Sequence, residues 1–232
     1  MGIAMRYEEK TIQQAILQKT ARLVSGLHAI RVLMSAGLGQ EQAVIQRIVD
    51  EIGEDILFLA QAAVSGEVTE LHERYLAEFW TEEFDEPTAL ASSQRRGMIK
   101  RKNIRAALAR NSGLPDPSWQ DSVNETIYKS YSGFVHAASP HIMDMCGGDP
   151  PRFHLATLKG TPRIREHSED ALNYFFRGHL TMAAAAKAFG DVELADSLIR
   201  ASISFENAFE PNTFMPTEEE YEAVRRRRGK PV

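Results

Sequence analysis

The chain has 232 residues, of which 43% are hydrophobic, and a formal net charge of −5. That is enough apolar material for the core of one large domain, and the negative balance argues against a protein that coats nucleic acid over its whole surface. No run approaches the roughly 18 uninterrupted apolar residues of a membrane span, and the lone Cys146 has no partner for an internal disulfide.

In chain order the pattern is helical almost throughout. Tyr7 to Met34 reads as a long first helix, with Ile12, Ile16, Leu23, Leu27, Ile30 and Met34 on its buried side, ended by Gly37 and Gly39. The next is the most regular. Ile45, Ile48, Val49, Ile52, Ile56, Leu59, Ala60 and Ala63 recur at helical spacing, and Gly66 stops them. Val68 to Phe84 continues as an acidic helix closed by Pro87. Arg95 to Arg110 forms a basic segment, followed by a turn around Gly113, Pro115 and Pro117. A helix from Asp121 ends near Pro140. Gly147 to Pro162 is a long Gly- and Pro-rich loop, of a length that often carries function. Ser168 is placed to cap a helix running to Phe189, with Glu169 and Asp170 in its first turn. Gly190 and Asp191 open another, to about Phe209, and Thr217-x-x-Glu220 is a capping box for a short last helix. No convincing strand pair or internal repeat is present. The expected fold is an all-α multi-helix bundle with an antiparallel core and flanking helices. The helices from Glu41, Asp121 and Ser168 supply most of that core. One domain spans 1–216, and 217–232 forms a C-terminal helix and basic tail.

The helix from Asp121 carries the strongest chemical signal. Val123, Ile127, Tyr131, Phe134 and Ala138 fall on one stripe. Roughly opposite stand Lys129, Ser132 and His136, with Glu125 one turn earlier. An acid, a base, a hydroxyl and a cation thus share one side, and histidine is the residue type best suited to proton transfer near neutrality. The plain alternative is a wetted polar face.

The pattern Tyr128-Lys129-x-Tyr131-Ser132-x-x-x-His136 resembles the signature of the HEPN superfamily of helical bundles, and most of all its uncharacterised bacterial branches. The resemblance covers nine residues. Active members are metal-independent ribonucleases, often toxins or phage-defence effectors. In them an arginine holds the phosphate, and a histidine moves protons while the ribose 2′-hydroxyl attacks it. The resemblance implies that His136 is the proton shuttle, that Lys129 stands at the arginine position, and that Ser132 and Tyr128 orient the imidazole or the ribose. It also implies RNA as partner, a homodimer as the active form, and no cofactor or metal. Lysine keeps the charge of arginine and loses its bidentate fork.

Two basic blocks bear on RNA. Arg95, Arg96, Lys100, Arg101, Lys102, Arg105 and Arg110 lie in a segment without an acidic residue, which suits a phosphate backbone or pairing with the acidic segment Glu67 to Glu86. The segment lacks aromatic residues for base stacking. Arg225 to Arg228 with Lys230 form a basic tail. The seven histidines include no HExxH and no di-iron Glu-x-x-His pair, and His136 and His141 have poor ligand spacing. His179 reads as a hydrogen-bonded core histidine. Glu51, Glu54 and Asp55 cluster beside the best apolar stripe. A half-buried Asp55 would be placed to orient His136 or Lys129 across a helix interface, or else it faces water. Met1 to Arg6 carries no signal-peptide hydrophobic region, and Arg6 stands where a myristoylation signal has Ser or Thr. Cytoplasmic localisation is therefore expected, with no membrane partner. Two further classes stay open. One is a non-catalytic helical module binding a partner or ligand. The other is a small-molecule enzyme whose 147–162 loop is a lid over an apolar pocket near Phe153 and His154.

Overall fold

The structure, a computed structural model, describes residues 5–111 and 117–208. Among these residues the chain forms α1 (Ile12–Ala36), α2 (Gly39–Ser65), α3 (Glu70–Trp80), α4 (Arg101–Arg110), α5 (Pro117–Val135), α6 (Ser139–Met143), α7 (Arg163–Ala188) and α8 (Val192–Asn207). The only sheet among them pairs β1 (Cys146–Gly147) with β2 (Arg152–Phe153). The protein is an all-α bundle. The last long helix, expected to reach about Phe209, ends at Asn207, whereas the turn around Gly113 and Pro115, the Thr217 capping box and the basic tail lie outside the described residues.

Local signals set the helix ends. Thr11 caps α1 in a reciprocal box: the Gln14 N–H donates to Thr11 Oγ1, and the Thr11 N–H donates to Gln14 Oε1 at 2.9 Å. Gly37, at φ 77°, ends α1 in the left-handed region that glycine enters without steric cost. Asp191 caps α8 by accepting from the Leu194 N–H at 2.9 Å. The expected cap at Ser168 is displaced. α7 begins five residues earlier, at Arg163 after Pro162, and Ser168 lies inside it with its hydroxyl donating to the Ile164 carbonyl at 2.7 Å. Ser168 can therefore stay helical by bonding back one turn, and the proline supplies the start.

α2 is the central helix. Fifteen of its 27 residues are buried, among them the polar Gln42, Gln46, Asp50, Glu54 and Asp55 beside the apolar ones. α1 runs antiparallel to it, with Lys19 meeting Asp55 and Gly26 meeting Val49. α5 runs antiparallel to α7, as Phe134 packs on His167 and Tyr131 on Tyr174. α2 and α7 run in the same direction: Gln42 bonds the His167 carbonyl, Asp50 pairs with Arg177, and Gly53 lies by Thr181. The long chain between α2 and α7 makes this parallel pairing feasible, since it crosses the bundle before returning. α1 contributes Ile16, Leu23, Leu27 and Ile30 to the core, whereas α5 packs against it through the partly buried Tyr131.

Gly26 permits the α1–α2 contact, because a Cβ there would lie 2.5 Å from Val49 Cγ2. Gly26→Ala is expected to destabilise the fold by about 1–3 kcal/mol through overpacking, despite the better helix propensity of alanine. Urea denaturation checks this, and an unchanged or raised midpoint would contradict the packing described.

Candidate functional site

The charged side of α2 organises the interior. Asp55, only 1% exposed, accepts from Lys19 Nζ at 2.7 Å and from an Arg101 guanidinium nitrogen at 2.6 Å. Glu54 accepts from Arg105 Nε at 2.6 Å, and Arg101 approaches its second oxygen at 3.5 Å. Glu51 pairs with Arg47 at 3.1 Å. Asp50 pairs with Arg177 of α7. Two neighbouring carboxyls shift in opposite directions. Burial alone would raise Asp55, but Arg101 and Lys19 outweigh it and hold the group below its ordinary value. For Glu54 burial wins over Arg105, and its pKa is raised. Asp55 therefore orients neither His136 nor Lys129, because both its oxygens are taken by cations from α1 and α4. The basic segment is divided by the same network. Arg96 turns to Glu83 at 3.5 Å in the acidic segment, whereas Arg101 and Arg105 turn inward to α2.

A second polar cluster joins α5, α6 and α7. Tyr131 Oη donates to Asp170 at 2.9 Å, Phe134 packs edge-on against His141 at 4.5 Å, and its ring also faces His167. Gly133 makes room for this cluster, since a Cβ there would sit inside the His141 ring; Gly39 does the same for His167. Burial lowers the His167 pKa and raises that of Asp170. His72, stacked on Phe58 at 4.0 Å, is likewise lowered by burial. His179 is half-buried, its Nδ1 lying 2.8 Å from the Phe175 carbonyl.

The four motif residues divide between two sides of α5. Lys129 is exposed and pairs with Glu125 at 2.7 Å. His136 is exposed just beyond the helix end, where its N–H donates to the Ser132 carbonyl at 3.1 Å. Ser132 is half-buried between them. Tyr128 turns inward, its ring meeting the guanidinium groups of Arg47 at 3.5 Å and Arg105 at 4.5 Å. The structure thus brings Tyr128 to the α2 network and leaves Lys129 and His136 to solvent. Of the apolar stripe, Tyr131 and Phe134 pack as read; the side chain of Val123 lies outside the described residues, and Ala138 stands beyond the helix at the entry to α6. The segment read as a lid does not cover a pocket at Phe153, which is half exposed. It is tied to the end of α1 instead, with Thr157 Oγ1 donating to the Ala36 carbonyl at 2.8 Å and the Leu158 N–H to Gly37 at 2.7 Å. Among the described residues no cluster of three or more His, Cys, Asp or Glu could hold a metal ion, and no helix is long and apolar enough to cross a membrane. Comparison with protein-family models, curated proteins and solved structures found no match.

Removing Arg105 would leave the buried Glu54 without a hydrogen-bonded cation, with only the looser approach of Arg101 at 3.5 Å. Arg105→Met is expected to cost about 3–5 kcal/mol, as for one partner lost from a buried pair, and Arg105→Met with Glu54→Gln should recover much of that. Equal losses in the single and double variants, measured in urea, would sink this account.

Histidines kept neutral by burial make folding sensitive to acid. The unfolded chain takes up protons as pH falls through about 6.5, the folded His167 and His72 only at lower pH, so stability is full above 6.5 and declines below it. The raised Glu54 and Asp170 act in the opposite sense, since they gain stability towards acid. A variant comparison isolates the histidine effect. His167→Leu should show a smaller loss of melting temperature between pH 7.5 and 5.5, both roughly one unit from the ordinary histidine value, than the wild type does. Parallel curves for the two proteins would refute it.

Proposed function

We propose that this protein is a metal-independent RNA-cleaving or RNA-processing protein of HEPN type, acting as a homodimer through the last two turns of α5. The observation that carries the reading is the exposure of Lys129 and His136 on the free side of α5, with Ser132 between them. Seven residues of helix separate the cation from the imidazole by about 10 Å along the axis. A two-fold pairing of antiparallel α5 helices would place Lys129 of one protomer beside the partner's His136, twice over. Apolar side chains for such a face lie close by in sequence: Val135, Ile142 and Met143 are all exposed.

The chemistry follows from these groups. His136 takes the proton of the ribose 2′-hydroxyl as that oxygen attacks the adjacent phosphorus. Lys129 balances the charge developing on the phosphate oxygens, and the P–O bond to the 5′-oxygen breaks as a proton is returned to that oxygen. The Glu125–Lys129 pair does not block this role. Both partners are exposed, such pairs contribute only about 0–1 kcal/mol, and a phosphate can replace the carboxylate. Tyr128, held by Arg47 and Arg105, supports α5 from behind. That placement favours the second reading, a non-catalytic helical binding module, because it removes one of the four groups from the exposed face.

Purified protein incubated with RNA in EDTA tests the proposal. Wild type should cleave, His136→Ala should lose about 10²–10⁴-fold in rate with its fold intact, and Lys129→Arg should retain or raise activity. Sizing should give a dimer. An inactive wild type, or equal cleavage by His136→Ala, would leave the binding module as the function.

A further inference from the structure

Arg101 and Arg105 are committed to the carboxylates of α2, but they are not the whole of the basic segment. Lys100 and Lys102, on either side of Arg101, are exposed and meet no carboxylate among the described residues. We infer that the phosphate-binding face of α5 continues onto the start of α4, where Lys102 and Lys100 hold neighbouring phosphates of the same RNA strand that Lys129 meets. The choice of RNA rests on the function proposed above, and the place rests on how α4 packs.

α4 runs in the direction of α2, since Arg101 approaches Glu51, Arg105 bonds Glu54 and Asn111 reaches Gln61. α5 runs against α7, and α7 runs with α2, so α4 and α5 are antiparallel neighbours. They meet where the Arg105 guanidinium lies 4.5 Å from the Tyr128 ring. Lys102 precedes Arg105 by one turn on the same side of α4. In an antiparallel pair, one turn back along α4 is one turn forward along α5, from Tyr128 towards Ser132. Lys102 therefore stands beside the stretch of α5 that carries Lys129 and the half-buried Ser132. Lys100 is the residue at the start of α4, where the first turn holds no acid and no side chain caps the helix, so the positive end of the helix dipole adds to both lysines.

The residue types suit a phosphate backbone. Below the surface, the guanidinium groups of Arg47, Arg101 and Arg105 are matched by Glu51, Glu54 and Asp55, so the free positive charge on this flank is that of the lysines. Lysine is a point charge that serves a single phosphate oxygen, whereas paired carboxylate oxygens favour the fork of arginine. With no aromatic residue between Arg95 and Arg110, the grip has nothing to stack on a base and is independent of sequence.

Fluorescence anisotropy of the full-length protein with labelled oligothymidylate and oligodeoxyadenylate tests this. Neither strand has a 2′-hydroxyl, so binding is measured apart from cleavage. Wild type should bind both, more weakly as salt rises. Lys102→Gln should weaken both by roughly fivefold at low salt and flatten the slope of log affinity against log salt by about 0.7, and adding Lys100→Gln should do so again. Both variants should melt as wild type does, since both side chains are exposed. Lys187→Gln, at an exposed lysine in the last turn of α7, should change neither affinity nor slope. The inference is overturned if wild type binds neither strand, if the Lys100 and Lys102 variants bind as wild type does, or if Lys187→Gln costs as much. Displacement of the strands by oligoglutamate of equal charge overturns it in favour of an acidic protein partner. Cleavage of RNA in EDTA reads the chemistry separately: a wild type that binds through Lys100 and Lys102 but leaves RNA intact refutes the role of His136 and supports the binding face.

Discussion

The row of buried carboxylates on α2 is the constraint on which the rest of the bundle depends. Asp50, Glu54 and Asp55 are almost wholly withdrawn from water, and an isolated ionised carboxylate in that position would cost far more than one domain's net stability. They are tolerable because each is met by cations from a different neighbour: Lys19 on α1, Arg101 and Arg105 on α4, and Arg177 on α7. Such pairs add little net stability over an apolar packing of equal volume. What they add is position. A helix that slipped by one turn along α2 would leave a charge behind it, so each pair sets how far along α2 its helix sits.

α5 is fastened by the same network and is not part of its charge balance. Tyr128 packs on two of the guanidinium groups, Arg47 reaches the Tyr128 carbonyl at 3.4 Å, and Tyr131 and Phe134 dock on α7. Three side chains spaced three residues apart thus commit one side of the helix inward. Lys129 and His136 are exposed as a consequence, since they occupy the remaining arc. The orientation of the proposed chemical face therefore derives from residues that take no part in the chemistry.

Most of the helices were legible because their apolar residues recur at three- and four-residue spacing, and because Gly37, Gly66 and Asp191 mark ends by their backbone or capping preferences. The apolar stripe of α2 was read directly, and so was the inward side of α5 at Tyr131 and Phe134. The burial of the polar residues of α2 was not. Gln42, Gln46, Asp50 and Glu54 look like a wetted face, and only the positions of Arg101, Arg105 and Arg177 in space show otherwise. Periodicity reports polarity along one helix and is blind to a compensating charge more than forty residues away. One local sign was present: the i, i+4 carboxylates Asp50 and Glu54 flank Gly53, an unusual residue for an exposed helix interior. The Thr11-x-x-Gln14 box was a second readable signal, and it moves the start of α1 from Tyr7 to Ile12.

Burial also decides which cations of this chain are free to meet a ligand. Counted in the sequence, the segment Arg95 to Arg110 is the densest positive block of the described residues and the natural candidate for a phosphate backbone. In the fold, Arg101 and Arg105 face carboxylates that cannot be surrendered, because withdrawing either leaves a buried negative charge poorly matched. Lys129 is held by a single exposed carboxylate, in water, at a strength that a phosphate exceeds. A pair that is weak, exposed and next to a half-buried hydroxyl is the kind that exchanges partners; a pair enclosed on α2 is the kind that holds a helix in place. By that criterion the inward arginines belong to the architecture, and the chemistry proposed for an anionic substrate would fall to the outer side of α5.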